Sequence, residues 1–76
     1  MNNSRRKALQ KIYAAIEEVK SNLETIFDEE QEAFENIPEN LEGSERYEAA
    51  ENAVDNLDNA FSGLDEVLEY LEEAMA

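Results

Sequence analysis

Two apolar ladders, stepping alternately three and four residues, run through this chain on either side of its only proline. The first is Leu9, Ile12, Ile16, Val19, Leu23, Ile26, Glu30, Ala33 and Ile37; the second is Tyr47, Ala50, Val54, Leu57, Phe61, Leu64, Leu68, Leu71 and Met75. Glu30 alone breaks the apolar rule. A seven-residue repeat keeps one stripe of a helix facing the same partner, because about 3.5 residues per turn brings that stripe back into line. Two such ladders joined by a short break predict an all-α fold, an antiparallel two-helix hairpin of coiled-coil type. At 76 residues the chain is one domain. Domains this small rarely bury enough apolar surface to be stable alone, so self-association is expected.

Local signals set the expected boundaries. Ser4 can cap a first helix over about residues 4–36, which Pro38 ends. Residues 37–44 form the connector, in which Pro38-Glu39-Asn40-Leu41 fits one short turn with Leu41 closing the end of the seam. Ser44 is the expected cap of a second helix over about 45–75, with Glu45 and Glu48 complementing its dipole. Gly63, inside that helix, costs about 1 kcal/mol relative to alanine and reads as a tolerated surface position.

The cations that open the first helix oppose its own dipole. An antiparallel register with partner numbers summing to about 80 gives them a use, placing Lys7 beside Glu73 and Lys11 beside Glu69. The same register layers Leu9 with Leu71, Ile12 with Leu68, Ile16 with Leu64, Val19 with Phe61, Leu23 with Leu57 and Ile26 with Val54. Glu30 then meets Ala50, around which it can reach water. A one-heptad slip would instead set Glu30 beside Leu57, a worse neighbour.

The two sides of such a seam differ. One carries Tyr13, Lys20, Phe27 and Phe34 beside Glu51, Asp58, Asp65 and Glu72; the other carries Ala8, Ala15, Asn22 and Glu29 beside Ala53, Ala60, Val67 and Ala74. The alanine stripe reads either as helix-favouring filler or as a face for close approach. In the second case Ala8, Ala15, Ala53, Ala60, Val67 and Ala74 mediate pairing of two hairpins into a four-helix bundle, a homodimer. Tyr13, Phe27 and Phe34 read as extra core or as an apolar anchor patch for a partner. Tyr70 falls on the outer face without an evident structural task.

Charge narrows the function. The net charge is −14, and four of the six cations are Arg5, Arg6, Lys7 and Lys11. Residues 12–76 therefore hold two cations against twenty carboxylates, a net of −18. A polyanion of this kind is not expected to bind nucleic acid or an anionic membrane directly; its natural partner is a basic protein surface. Self-repulsion opposes compaction, so the melting temperature should rise when moderate salt screens it over a Debye length of about 8–10 Å. A helix of about 32 residues spans about 48 Å, a length over which duplex DNA carries roughly 28 phosphates. Twenty carboxylates on a hairpin approach that charge density, which points to mimicry of a DNA surface. Glu24, Asp28, Glu32, Glu51, Asp55, Asp58, Asp65 and Glu66 are the candidate charged contacts. The competing reading is a structural or assembly module that binds another helix, or itself, through apolar stripes.

Little else in the chain carries chemistry. It has neither Cys nor His, hence no disulfide, no thiolate and none of the commonest metal ligand or general base. No cofactor, metal site or enzymatic activity is expected. A calcium loop over Asp58–Glu69 would need a ligand where Ala60 stands and an apolar residue where Asp65 stands. The run Asp28-Glu29-Glu30-Gln31-Glu32 reads as a solvated face. The basic N-terminal stretch lacks the apolar core of a secretory signal, and no eighteen-residue apolar run occurs, so a soluble cytoplasmic protein is expected.

The segment from Asp28 through Glu32-Ala33-Phe34-Glu35-Asn36-Ile37-Pro38-Glu39-Asn40-Leu41, with Ser44-Glu45-Arg46, Asp55-Asn56-Leu57 and Leu71-Glu72-Glu73-Ala74, resembles short helical proteins of phages and mobile elements of gram-positive bacteria. In size and charge the chain also resembles, more loosely, acidic phage proteins that block host defence by DNA mimicry, including some anti-CRISPR inhibitors. The first resemblance implies a helical fold around a Pro-Glu-x-Leu turn and no catalytic motif. The second implies a basic, nucleic-acid-binding target in the host cytoplasm and transfers no residue roles.

Overall fold

The computed structural model describes residues 1–76 and contains two long helices, α1 (Asn3–Glu35) and α2 (Glu45–Met75), packed against each other. Together they make a rod of 59 × 16 × 13 Å. The helix ends follow local chemistry. Asn2, not Ser4, caps α1: its Oδ1 accepts from the Arg5 amide at 2.8 Å, so the helix begins two residues earlier than a serine cap would place it. Ser44 caps α2, its hydroxyl accepting from the Tyr47 amide at 3.2 Å, and Glu45 and Glu48 fill the first turn.

Between the helices, Glu39–Leu41 form a single 3₁₀ turn behind Pro38, with the Leu41 amide donating to the Pro38 carbonyl at 2.9 Å. Leu41 is half-buried there. Gly43 then takes φ +82°, a left-handed conformation that a side chain would strain, and delivers the chain to Ser44. A Cβ built at Gly63 would meet nothing within 4 Å, so the hairpin itself does not require that glycine.

The register follows from the cross-helix contacts. Arg6 bonds the Met75 carbonyl, Lys20 lies over Phe61, and Phe34 packs on Tyr47; the residue numbers of each pair sum to 81. The expected register near 80 is the one adopted, and Glu30 and Ala50 line the same groove near the connector.

The rotation of α1 differs from the expected one. Ile12, Val19 and Ile26, assigned to the seam from the ladder, are 49%, 57% and 54% exposed, and Ala33 is exposed as well. Tyr13, Lys20, Phe27 and Phe34, assigned to its flank, are half-buried in their place. α1 therefore contacts α2 through Leu9, Tyr13, Ile16, Lys20, Leu23, Phe27, Glu30 and Phe34, a ladder with the same three-and-four step displaced by one residue at alternate rungs. The reason is payload. α1 has three adjacent apolar strips where one partner helix can cover only two. Covering the strip of Tyr13, Phe27 and Phe34 removes aromatic rings of about 150–250 Å² each from water, more than the β-branched chains of the other strip offer.

Only Leu68 is buried, at 7% exposure. Every other seam residue keeps one flank open to solvent, as two helices alone cannot enclose a core. The expected pairs Lys7 with Glu73 and Lys11 with Glu69 do not form; Lys20 with Asp65 is the sole ion pair. Instead Arg6 Nε donates to the Met75 carbonyl at 3.1 Å, so the basic start of α1 serves the carbonyl end of α2. No helix is long and apolar enough to cross a membrane.

Candidate interaction surfaces

The roll of α1 gives the ribbon two unlike sides. On one, Tyr13 Oη donates to Glu72 Oε1 at 2.5 Å and Lys20 pairs with Asp65, its Nζ 4.7 Å from the centroid of the Phe61 ring. Glu17, Lys20, Ser21, Glu24 and Leu68 line a shallow open groove on this side. Helical spacing continues it through Asp28 on α1 and through Glu51, Asp55 and Asp58 on α2, all exposed. Six of the candidate charged contacts, Glu24, Asp28, Glu51, Asp55, Asp58 and Asp65, thus share one side. Glu32 and Glu66 lie toward the outer edges, and Asp65 is half-buried and already engaged by Lys20.

Tyr13 carries the one marked electrostatic perturbation. The hydrogen bond to Glu72, with desolvation and the charges of Glu72 and Glu17 behind it, pushes its phenol up from 10.0 to about 12. Deprotonation would set a phenolate against a carboxylate. A group with a raised folded pKa contributes stability that is present below its unfolded pKa and lost above it. The contribution of Tyr13 should accordingly hold up to about pH 10 and disappear as the pH climbs toward about 12. Tyrosinate absorbance should show a late-titrating component that Tyr13→Phe removes; a late component that survives the substitution, or a lost component that titrates near 10, would show that the bond to Glu72 does not form.

The opposite side is uncharged over most of its length. Five of the six large hydrophobic residues that remain exposed, Ile12, Val19, Ile26, Val67 and Tyr70, occur on it by helical position, the last two at 41% and 69% exposure. Near the connector the two helices meet in an open groove of about 330 Å³ lined by Glu30, Ala33, Phe34, Ile37, Arg46, Ala49 and Ala50. The proposed self-association residues Ala8, Ala15, Ala60, Val67 and Ala74 are exposed on this side and Ala53 is half-exposed. Ile12, Val19 and Ile26 belong with them. The apolar ladder alone places these three in the seam; the competing aromatic strip one residue further on is the sequence signal that displaces them.

Tyr13, Phe27 and Phe34 are half-buried between the helices, with the Phe34 and Tyr47 rings 5.0 Å apart. Most of their surface is spent inside the hairpin. Asp58–Glu69 lies wholly within α2, as continuous helix rather than a loop, and no three carboxylates converge into a set able to hold a metal ion. No protein-family model, curated protein or solved structure matches this chain.

Proposed function

We propose that this chain is a non-enzymatic, acidic protein-binding module whose carboxylate side occludes a basic, nucleic-acid-binding surface of a partner, in the manner of a phage-encoded DNA mimic acting on host defence. The observation that carries this reading is segregation. Acidity kept only for solubility would be spread over the rod, whereas Glu24, Asp28, Glu51, Asp55 and Asp58 gather on one side and the other carries few charges, Arg5, Glu29 and Arg46. The rod is 59 Å long, enough to track more than one but fewer than two turns of duplex at about 34–36 Å each. Affinity for such a partner is dominated by electrostatics and should fall by at least tenfold between 50 and 200 mM salt, in line with the steep dependence of roughly 10³–10⁵ seen for six to ten phosphate contacts. Duplex DNA should compete for the partner, and Glu51→Gln, Asp55→Asn and Asp58→Asn together should abolish capture. Capture that is indifferent to both salt and DNA would refute mimicry.

A second reading, an assembly module that binds another helix or itself to form a four-helix bundle, is favoured by the uncovered Ile12, Val19 and Ile26. It predicts association that depends on these residues and hardly on salt. The two readings use opposite sides of the ribbon and are compatible in one molecule.

A further inference from the structure

We infer that the apolar side of the ribbon seats a second copy of this chain, with α1 crossing α1 of the second copy antiparallel at Val19, so that Ile12 of each lies over Ile26 of the other. This rests on the assembly reading above and commits it to one occupant and one arrangement.

Area is the first argument. The chain exposes 5715 Å², about 1,000 Å² more than the roughly 4,700 Å² that compact monomers of 8.7 kDa expose by size scaling. A standard stable interface takes about 800 Å² from each partner. The surplus is the size of one such interface, and the exposed Ile12, Val19, Ile26, Val67 and Tyr70 mark where it lies.

Self-matching is the second. The exposed rungs fall at 12, 19 and 26, symmetric about Val19, which is the condition for a two-fold contact in which the same patch serves both copies. The same centre brings Arg5 of one copy over Ala33 of the other, beside the open groove that holds Glu30.

Charge chooses the direction. At the open end of the hairpin, residues 1–14 and 66–76 hold four cations, Arg5, Arg6, Lys7 and Lys11, against four carboxylates. At the connector end, residues 28–48 hold nine carboxylates against Arg46. Stacking with like ends together would oppose two clusters of net −8 each, whereas the antiparallel arrangement lays each acidic end against a neutral, cation-bearing one. The acidic sides of both copies then face outward and stay free for a basic partner.

Sedimentation equilibrium of the intact chain should give twice 8.7 kDa. Val19→Glu, which sets two carboxylates against each other on the axis, should return it to 8.7 kDa with helical circular dichroism measured alongside. Should that variant not fold, Val19→Cys keeps the inference testable: at the crossing point it should form a symmetric disulfide-linked dimer on mild oxidation, while Val67→Cys, which lies off the axis, should not. A wild-type chain that is monomeric at high micromolar concentration overturns the inference, and so does a dimer that Val19→Cys fails to cross-link. The assembly reading fails separately, if Val19→Glu alters neither mass nor the capture of any helical partner.

Discussion

Leu68→Ala is expected to lower the melting temperature by about 10–30 °C, the largest effect of any single truncation in the seam. Leu68 is the only side chain the hairpin buries. Leucine-to-alanine truncation at a buried site removes about 2–5 kcal/mol, from lost transfer energy and from the cavity left behind. A chain of 76 residues has of the order of 4–11 kcal/mol to lose by the usual per-residue scale, and one with a single buried residue belongs at the low end. In a domain of this size each kcal/mol moves the midpoint by about 4–8 °C. Thermal melts followed by circular dichroism decide it. A variant that melts within a few degrees of the wild type would place the stability of the fold outside the α1–α2 seam.

Lys20 should show the second large effect, with opposite outcomes for two substitutions. Its stem lies in the seam, its ammonium pairs with Asp65, and it caps the face of Phe61 at 4.7 Å. Lys20→Glu removes an attraction between cation and ring worth about 0.5–2 kcal/mol and leaves two carboxylates facing each other. The partly exposed site screens that repulsion, so a loss of about 2–3 kcal/mol overall is expected, part of it restored by salt. Lys20→Met keeps the apolar stem and places a thioether on the ring, and should stay within about 1 kcal/mol of the wild type. Equal damage from both substitutions would mean that the ammonium they both remove sets the cost, and that a carboxylate facing Asp65 adds no repulsion of its own.

Much of the architecture was legible in the residues. The proline, the serine cap and the acidic first turn delimit α2 as written, because each satisfies or withholds backbone hydrogen bonds locally. At the start of α1 the cap is Asn2 and not the expected Ser4, a shift of two residues that either side chain's capping chemistry allows. Register was legible because the connector is short and Glu30 needs a small neighbour such as Ala50. The acidic side was legible as well, since helical spacing alone sets Glu51, Asp58, Asp65 and Glu72 on the flank opposite the alanines. The bonds from Tyr13 to Glu72 and from Lys20 to Asp65 show that this flank of α2 meets Tyr13 and Lys20 of α1.

By itself the sequence determined two helices, their ends to within a residue or so, their antiparallel register and a net charge of −14. These follow from local hydrogen bonding, from helical periodicity and from composition, none of which depends on what lies across the seam. Only the tertiary structure decided how α1 is rolled. Its three adjacent apolar strips are equally compatible with a helix, and choosing two of them is a comparison of buried areas that exists only when α2 is in place. The aromatic strip was covered, Ile12, Val19 and Ile26 were left to solvent, and a symmetric-looking ladder became a ribbon with an acidic side and an apolar one.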